Sequence, residues 1–335
     1  MNQAERFRAV MKFKPVDRLP VIEWAMWWDK TLARWYTEGL PKNLVDGGEI
    51  SRYLGLDVYR QVWLNARAKM PLPKFHGAGL ISTESEYTQL KSVLFPEPAF
   101  DKQQLQYWAR QQQAGETVVW LTFDGFFWFP REIFGIERHL YAFFDSPDLI
   151  HQMNHDVLEY SLRALEQVLD ICTPTFVSFA EDLSYNHGPM LSHNMFVDFI
   201  APYYEQIVPR LKDAGIITFV DSDGNIEEVI NWFIKLGIDG ILPLERASGI
   251  DVLRLREQHP GFGMIGGFDK TIMKLGREAM RAEFERLLPV MKSGGFIPSV
   301  DHQTPPDVSL DIYLVYVELL KEYSVKAVVS GSECI

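Results

Sequence analysis

The chain has 335 residues, 47% of them hydrophobic, enough for a large core and as compatible with one α/β barrel carrying insertions as with two ordinary domains. A formal net charge of −12 and a pI near 5.2 argue against nucleic acid or an anionic membrane as partner. Cys172 and Cys334 are too few for a disulfide framework or a thiolate metal cluster, and read as reduced thiols. The opening MNQAERFRAVMKFKPVDR lacks the apolar core of a signal peptide, and no apolar run approaches the roughly 20 residues that span a bilayer. A soluble, cytoplasmic protein is expected.

In chain order, residues 19–23 and 57–63 are the first predicted strands. Residues 64–116 follow as an insertion, and alternating polar and apolar positions across 79–92 predict a small β excursion over one mouth of the fold. Residues 117–123 form the third strand and 175–179 the fourth. A helix is expected over 194–214, where Phe196, Phe199, Ile200, Tyr203, Ile207 and Leu211 make one buried stripe, stopped by Gly215. Residues 216–220 are the fifth strand, followed by the loop DSDGN. Asn225 is a candidate N-cap there, with Glu227 and Glu228 in the favourable first turn. Strands over 240–244, 263–267 and 295–300 alternate with helices around 250–258 and 277–292. Eight strands in regular alternation with helices predict a single (β/α)8 TIM barrel over residues 1–335, with parallel strands and right-handed crossovers.

In that architecture the active site sits at the C-terminal ends of the strands. Those ends carry Glu23 with Trp24, Trp27 and Trp28; Asp124; Glu181, Asp182 and Tyr185; Asp221, Ser222, Asp223 and Asn225; Glu245; Asp269; and Asp301 with His302. The opposite ends show no comparable accumulation. Carboxylates facing one cavity are unfavourable without a cation, a shared proton or a hydrogen-bonding ligand, so the pattern points to an enzyme. A single Asp after a strand is as readily a cap or turn residue, and Asp182, Asp223 and Asp269 are open to both readings. Trp24, Trp27 and Trp28 serve either as substrate surface or as packing. DSDGN departs from a calcium loop in the place of its Gly, and His151 with His155, though spaced like a zinc pair, reads as part of a solvated helix. The chain has no dinucleotide or P-loop glycine fingerprint and no G-x-S-x-G elbow, which disfavours NAD, ATP and serine-hydrolase chemistry.

The opening ERFRAVMKFKPVDRLPV, followed in order by EDLSYNHGPMLS, FVDSDGN, GIDGILPLE, MIGGFDK and GFIPSVDHQTPPDVS, resembles the uroporphyrinogen decarboxylase superfamily. The resemblance covers nearly the whole chain and is weakest across 60–115. It implies a (β/α)8 barrel and either decarboxylation or zinc-dependent methyl transfer involving corrinoid proteins and thiols. The decarboxylase branch carries an R-Q-A-G-R segment after the first strand and an aspartate after the second. Here those places read EWAMWWDKTLARW, with Arg34 its comparable base, and Tyr59–Arg60–Gln61–Val62–Trp63. A polyanionic tetrapyrrole would also meet carboxylates in the cavity, so uroporphyrinogen itself is disfavoured. The methyltransferase branch holds zinc through His-x-Cys after the fifth strand and Cys after the eighth. The matching positions here are Asp221, Asp223 and Asp301, with His302 adjacent, so oxygen donors replace thiolates.

The resulting expectation is a methyltransferase-type enzyme acting on a small methylated compound, with a corrinoid protein as partner. Glu181, Asp221 and His302 are expected as catalytic groups. Asp221, Asp223, Asp301 and His302 are expected to bind zinc or a harder divalent ion. Substrate contacts are expected from Glu23, Trp24, Trp27, Trp28, Asp124, Tyr185, Asn225, Glu245 and Asp269. The alternatives are a carboxy-lyase, which needs arginines such as Arg60 or Arg67 inside the mouth, and a non-catalytic binder of a corrinoid or small ligand. A homodimer is expected from the resemblance alone.

Overall fold

A computed structural model describes residues 1–329; Cys334 and the tail SGSECI lie outside them. Seven parallel strands form one curled sheet: β1 (Tyr59–Leu64), β2 (Val118–Asp124), β3 (Phe176–Ala180), β6 (Ile217–Asp221), β7 (Gly240–Leu242), β8 (Gly263–Phe268) and β9 (Phe296–Val300), hydrogen-bonded in that order. Two short strands, β4 (Ser184–Tyr185) and β5 (Gly188–Pro189), make a separate antiparallel hairpin. Helices join the parallel strands, as parallel pairing requires.

The expected eighth strand is not one. Residues 19–23 are extended but form no ladder with a neighbour. Pro20 has no N–H to give, and the segment instead makes isolated contacts on two sides. The Val21 carbonyl accepts from Asp57 N at 2.8 Å, while Trp24 N donates to the Ser299 hydroxyl at 3.3 Å. The architecture is therefore a barrel-like curl of seven strands rather than a closed eight-stranded barrel.

The β excursion over 79–92 is likewise corrected to helix. Thr83 caps the helix Glu84–Leu90 through a reciprocal pair with Glu86, and Asp101 caps the helix Lys102–Gln113. The helix expected over 194–214 is two, His193–Phe199 and Ala201–Asp213, separated at Ile200 just before Pro202. His151 is not solvated: its Nδ1 meets the Tyr203 hydroxyl at 2.9 Å and its ring stacks on Phe199. Among the described residues no helix is long and apolar enough to cross a membrane.

The N-terminal helix Gln3–Met11 closes the end of the sheet at which the strands begin. Phe7 is fully buried there, stacked on Phe176 at 4.5 Å and touching Tyr59 and Phe219; Phe176 in turn stacks on Trp120. Burying one such ring is worth about 1.5–3 kcal/mol. These contacts also identify the inner face of β1, β2, β3 and β6. Side chains alternate along a strand, so Asp124, four residues on from Trp120, and Asp221, two residues on from Phe219, point to the same inner face. Register aligns Asp124 with Ala180, Ala180 with Asp221, and Asp221 with Leu242. One rung therefore runs across the C-terminal mouth, opposite the end that Phe7 seals.

Candidate active site at the C-terminal mouth

Beyond that rung, the strand exits bring Asp182, Asp221, Asp223, Glu245, Lys270, Asp301 and His302 together. Asp223 Oδ2 lies 3.6 Å from His302 Nε2, and one ligand atom each of Asp223, Glu245 and His302 can be chosen so that all lie within 4.8 Å of one another. Lys270 Nζ stands 3.3 Å from Glu245 Oε1 and 3.9 Å from Asp301 Oδ1. Asp301 is buried and accepts from the backbone N–H groups of Arg246 and Lys270, so it ties the β7 and β8 exit loops together. Asp182 Oδ1 accepts from Asp223 N, and Glu245 Oε2 from Gly224 N at 3.3 Å. Gly224 has φ +83, and a Cβ there would sit 2.8 Å from the Tyr185 backbone. Only glycine lets the DSDGN loop pass under the β4–β5 hairpin. Asp182 and Leu244 also hold left-handed backbone, φ 41 and 69, on two of the exits that frame the cluster, a conformation uncommon outside glycine and concentrated at functional sites.

The electrostatics follow from crowding. Burial and then the charges of Asp182, Asp223 and Glu245 push the Asp221 carboxyl well above the usual range. Burial, Asp182 and Glu245 push Asp223 up to about 8, with Lys270 opposing. Burial raises Asp182 as well. Asp301 rises to about 6 through burial, held back by Lys270 and its two backbone donors. Burial and Lys270 lower His302, which is therefore neutral at pH 7 with a nitrogen lone pair to offer. One lysine faces five carboxyl groups, so a proton or a cation is required to balance them.

Several residues expected at the site lie elsewhere or are already occupied. Glu181 is fully buried; it accepts from the N–H groups of Phe126 and Phe127 and from the Tyr204 hydroxyl, so it anchors the start of the helix Trp128–Phe134. Burial pushes it up to about 7. Gly125 makes this possible, since a Cβ there would lie 2.3 Å from the Ala180 carbonyl oxygen and 2.5 Å from the Glu181 carboxyl carbon. Asp124 is closed off by Arg67 at 2.8 Å and by Ala66 N. Asp269 caps Thr271, Asn225 accepts from Glu227 N within a turn that precedes the helix Ile230–Lys235, and Tyr185 is exposed at the hairpin. Trp27 packs in the core against Trp35 and Tyr313, and Trp28 is exposed at a helix start. Trp24 alone of the three reaches the cluster: its indole donates to the Val300 carbonyl and meets His302 edge-on at 6.3 Å. Arg60 pairs with Asp46 and lies over Trp108, and Arg67 is neutralised by Asp124 and Glu132. Lys270 was missed by sequence reasoning, although it directly follows Asp269 in MIGGFDK.

Glu23 is buried beneath this floor, with one oxygen accepting from Ser299 and the other lacking a partner, and with Tyr316 and Tyr313 beside it. Burial pushes it up to about 7. A folded-state pKa above the unfolded value means that its contribution is fully present below the unfolded value and is lost as pH rises through about 7. A rise from 4.5 to about 7 corresponds to about 3 kcal/mol. Glu23→Gln is thus expected to gain about 3 kcal/mol on the native protein between about pH 5 and about pH 8. Urea unfolding across that range checks it; parallel profiles for the two proteins contradict it.

Residues 134–323 match the family model described as uroporphyrinogen decarboxylase (URO-D). A solved structure of a methyltransferase from Methanosarcina mazei is similar at a TM-score of 0.66 and 14% identity, covering 96% of this chain and 99% of that one. At that identity the likeness is one of fold. A B12-independent methionine synthase from Shewanella sp. W3-18-1, solved with selenomethionine, is similar over 68% of this chain and 65% of its own, at a TM-score of 0.42 and 15% identity. No curated protein matches the sequence.

Proposed function

The chain belongs to the uroporphyrinogen decarboxylase family, and from that premise we propose that it is a methyltransferase-type enzyme of the cytoplasm, acting on a small methylated compound with a corrinoid protein as partner. The observation that carries the reading is the convergence of Asp223, Glu245 and His302 within 4.8 Å at the strand exits. Two carboxylate oxygens and one imidazole nitrogen suit zinc or a harder divalent ion, and the crowding that raises Asp223 is what such an ion relieves. Those three residues would hold the metal; when bound, it supplies Lewis-acid activation. Asp221 and Asp301, expected as ligands, are assigned other work.

The remaining steps fall to side chains of the chain itself. Asp301 fixes the backbone at Arg246 and Lys270, which presents Glu245 and the Lys270 ammonium to the mouth. Trp24 offers a ring beside His302 for a methylated cation or an apolar methyl group, a contact worth about 0.5–2 kcal/mol. When the methyl group leaves an oxygen or nitrogen, the electron pair stays on that atom and takes a proton. Asp221, whose carboxyl is pushed well above the usual range by burial and by its acidic neighbours, is the donor we assign.

The lyase alternative needs guanidinium groups free for several carboxylates, and the ion pairs of Arg60 and Arg67 speak against it. The functional reading is tested by incubating the purified protein with cob(I)alamin and a panel of O- and N-methylated small molecules, following the visible spectrum. Methylation of the corrin by at least one compound is expected. Carbon dioxide release from carboxylic substrates without any methyl transfer would overturn the proposal in favour of the lyase.

A further inference from the structure

Among the described residues, Arg131 is a cation near the mouth that the acidic cluster does not pair. The helix Trp128–Phe134 leaves β2 at the mouth, with Glu181 holding its first turn, so Trp128 and Arg131 stand three residues apart on one helix face. The Arg131 guanidinium carbon lies 4.7 Å from the centre of the Trp128 ring, and that of Arg67 lies 5.9 Å from it. Arg67 is compensated twice, by Asp124 and by Glu132. Arg131 has no such partner: among the described residues no carboxylate pairs with it and its side chain makes no hydrogen bond. Its Nε is buried without an acceptor, and so is the indole Nε1 of Trp128.

Folded proteins pair nearly all their buried donors, so two adjacent ones without acceptors point to a group supplied from outside. Arg131 also acts electrostatically on Asp182, which puts it at the edge of the acidic cluster. An anion entering this mouth is repelled by the carboxylates; Lys270 is already engaged by Glu245 and Asp301, whereas Arg131 has no carboxylate partner among the described residues. A planar guanidinium offers paired N–H donors that suit the two oxygens of a carboxylate, and here it lies over the ring whose own N–H lacks an acceptor.

We propose that Arg131 and the Trp128 indole N–H form an oxyanion subsite that receives a carboxylate of the substrate. Its anionic end is then held at the helix Trp128–Phe134, and its other end is directed to Trp24 and His302. The substrate class is accordingly a small carboxylic acid bearing a methylated oxygen or nitrogen at the far end. The orientation and the substrate class rest on the methyltransferase reading; the oxyanion subsite does not.

The subsite is tested with acetate as the probe, using protein labelled with ¹⁵N in its indole rings. The Trp128 resonance is assigned by its loss in Trp128→Phe, and acetate is titrated against chloride at matched ionic strength. A saturable shift of that resonance with acetate is expected, with affinity at least about tenfold weaker in Arg131→Gln and partly retained in Arg131→Lys. The remaining indole signals report whether each variant is folded. No saturable shift beyond that of chloride, or an equal shift in folded Arg131→Gln, overturns the proposal. Acetate binding at Trp128 by a protein that methylates no corrin would overturn the methyltransferase reading and leave the subsite standing.

Discussion

Asp223→Ala is expected to cut turnover by about 10³-fold or more while making the metal-free protein more stable. The loss follows from removing one of three groups within 4.8 Å at the proposed metal position, where a single ligand or acid–base group commonly carries two to four decades of rate. The gain follows from the same crowding. Burial and the neighbouring carboxylates raise Asp223 to about 8, so whatever stability its protonation brings is present below the ordinary carboxylate range and lost as pH climbs to about 8. Its side chain is 38% exposed, so solvent screening reduces the effect to about 1–2 kcal/mol. Urea unfolding near pH 8 with a chelator present, alongside a turnover assay, measures both signs. Retained activity with lowered stability contradicts the assignment, because Asp223 would then be a turn residue and nothing more.

Arg67→Ala is expected to destabilise the protein by about 3–5 kcal/mol. Asp124 is fully buried at the end of β2 and has two partners, Arg67 Nη2 at 2.8 Å and Ala66 N at 2.9 Å. Removing the guanidinium leaves a buried carboxylate with one backbone donor, the situation in which breaking a buried pair costs far more than the pair contributes. Arg67→Ala combined with Asp124→Asn is expected to recover most of the loss, since no uncompensated charge then remains. Chemical denaturation of the two variants decides it. A loss under about 1 kcal/mol for the single variant would mean that water reaches Asp124 and replaces the arginine.

What could be read in the sequence and what could not divide along physical lines. The seven strands from residue 57 onward stand in the expected order because each is a short apolar run bounded by loops, a local signal. Residues 19–23 carry the same signal; Pro20, which has no N–H to give, stands in the sequence as a warning, but the lack of a laddered neighbour is a tertiary fact. The excursion over 79–92 was misread by alternation, although Thr83 and Glu86 have the spacing of a capping box and announce the helix Glu84–Leu90. At the mouth, the strand-exit rule gathers the acidic residues correctly as a class. It cannot distinguish Asp223, with an oxygen beside His302, from Asp269, turned onto Thr271, because a cap and a ligand look alike in one dimension. The burial of Glu181 depends on Gly125 allowing β2 and β3 to approach, and the unmatched guanidinium of Arg131 depends on which carboxylates chose Arg67 instead.

The central claim is that the mouth holds a divalent ion through Asp223, Glu245 and His302. Plasma mass spectrometry on protein purified without chelator tests it most directly, comparing the native chain with Glu245→Ala and with Asp269→Ala, whose carboxylate only caps Thr271. The account predicts close to one divalent ion per native chain, lost in Glu245→Ala and kept in Asp269→Ala. A native protein that carries no metal, and takes none up from zinc, manganese or iron, would contradict it and leave the cluster as proton-transfer chemistry alone.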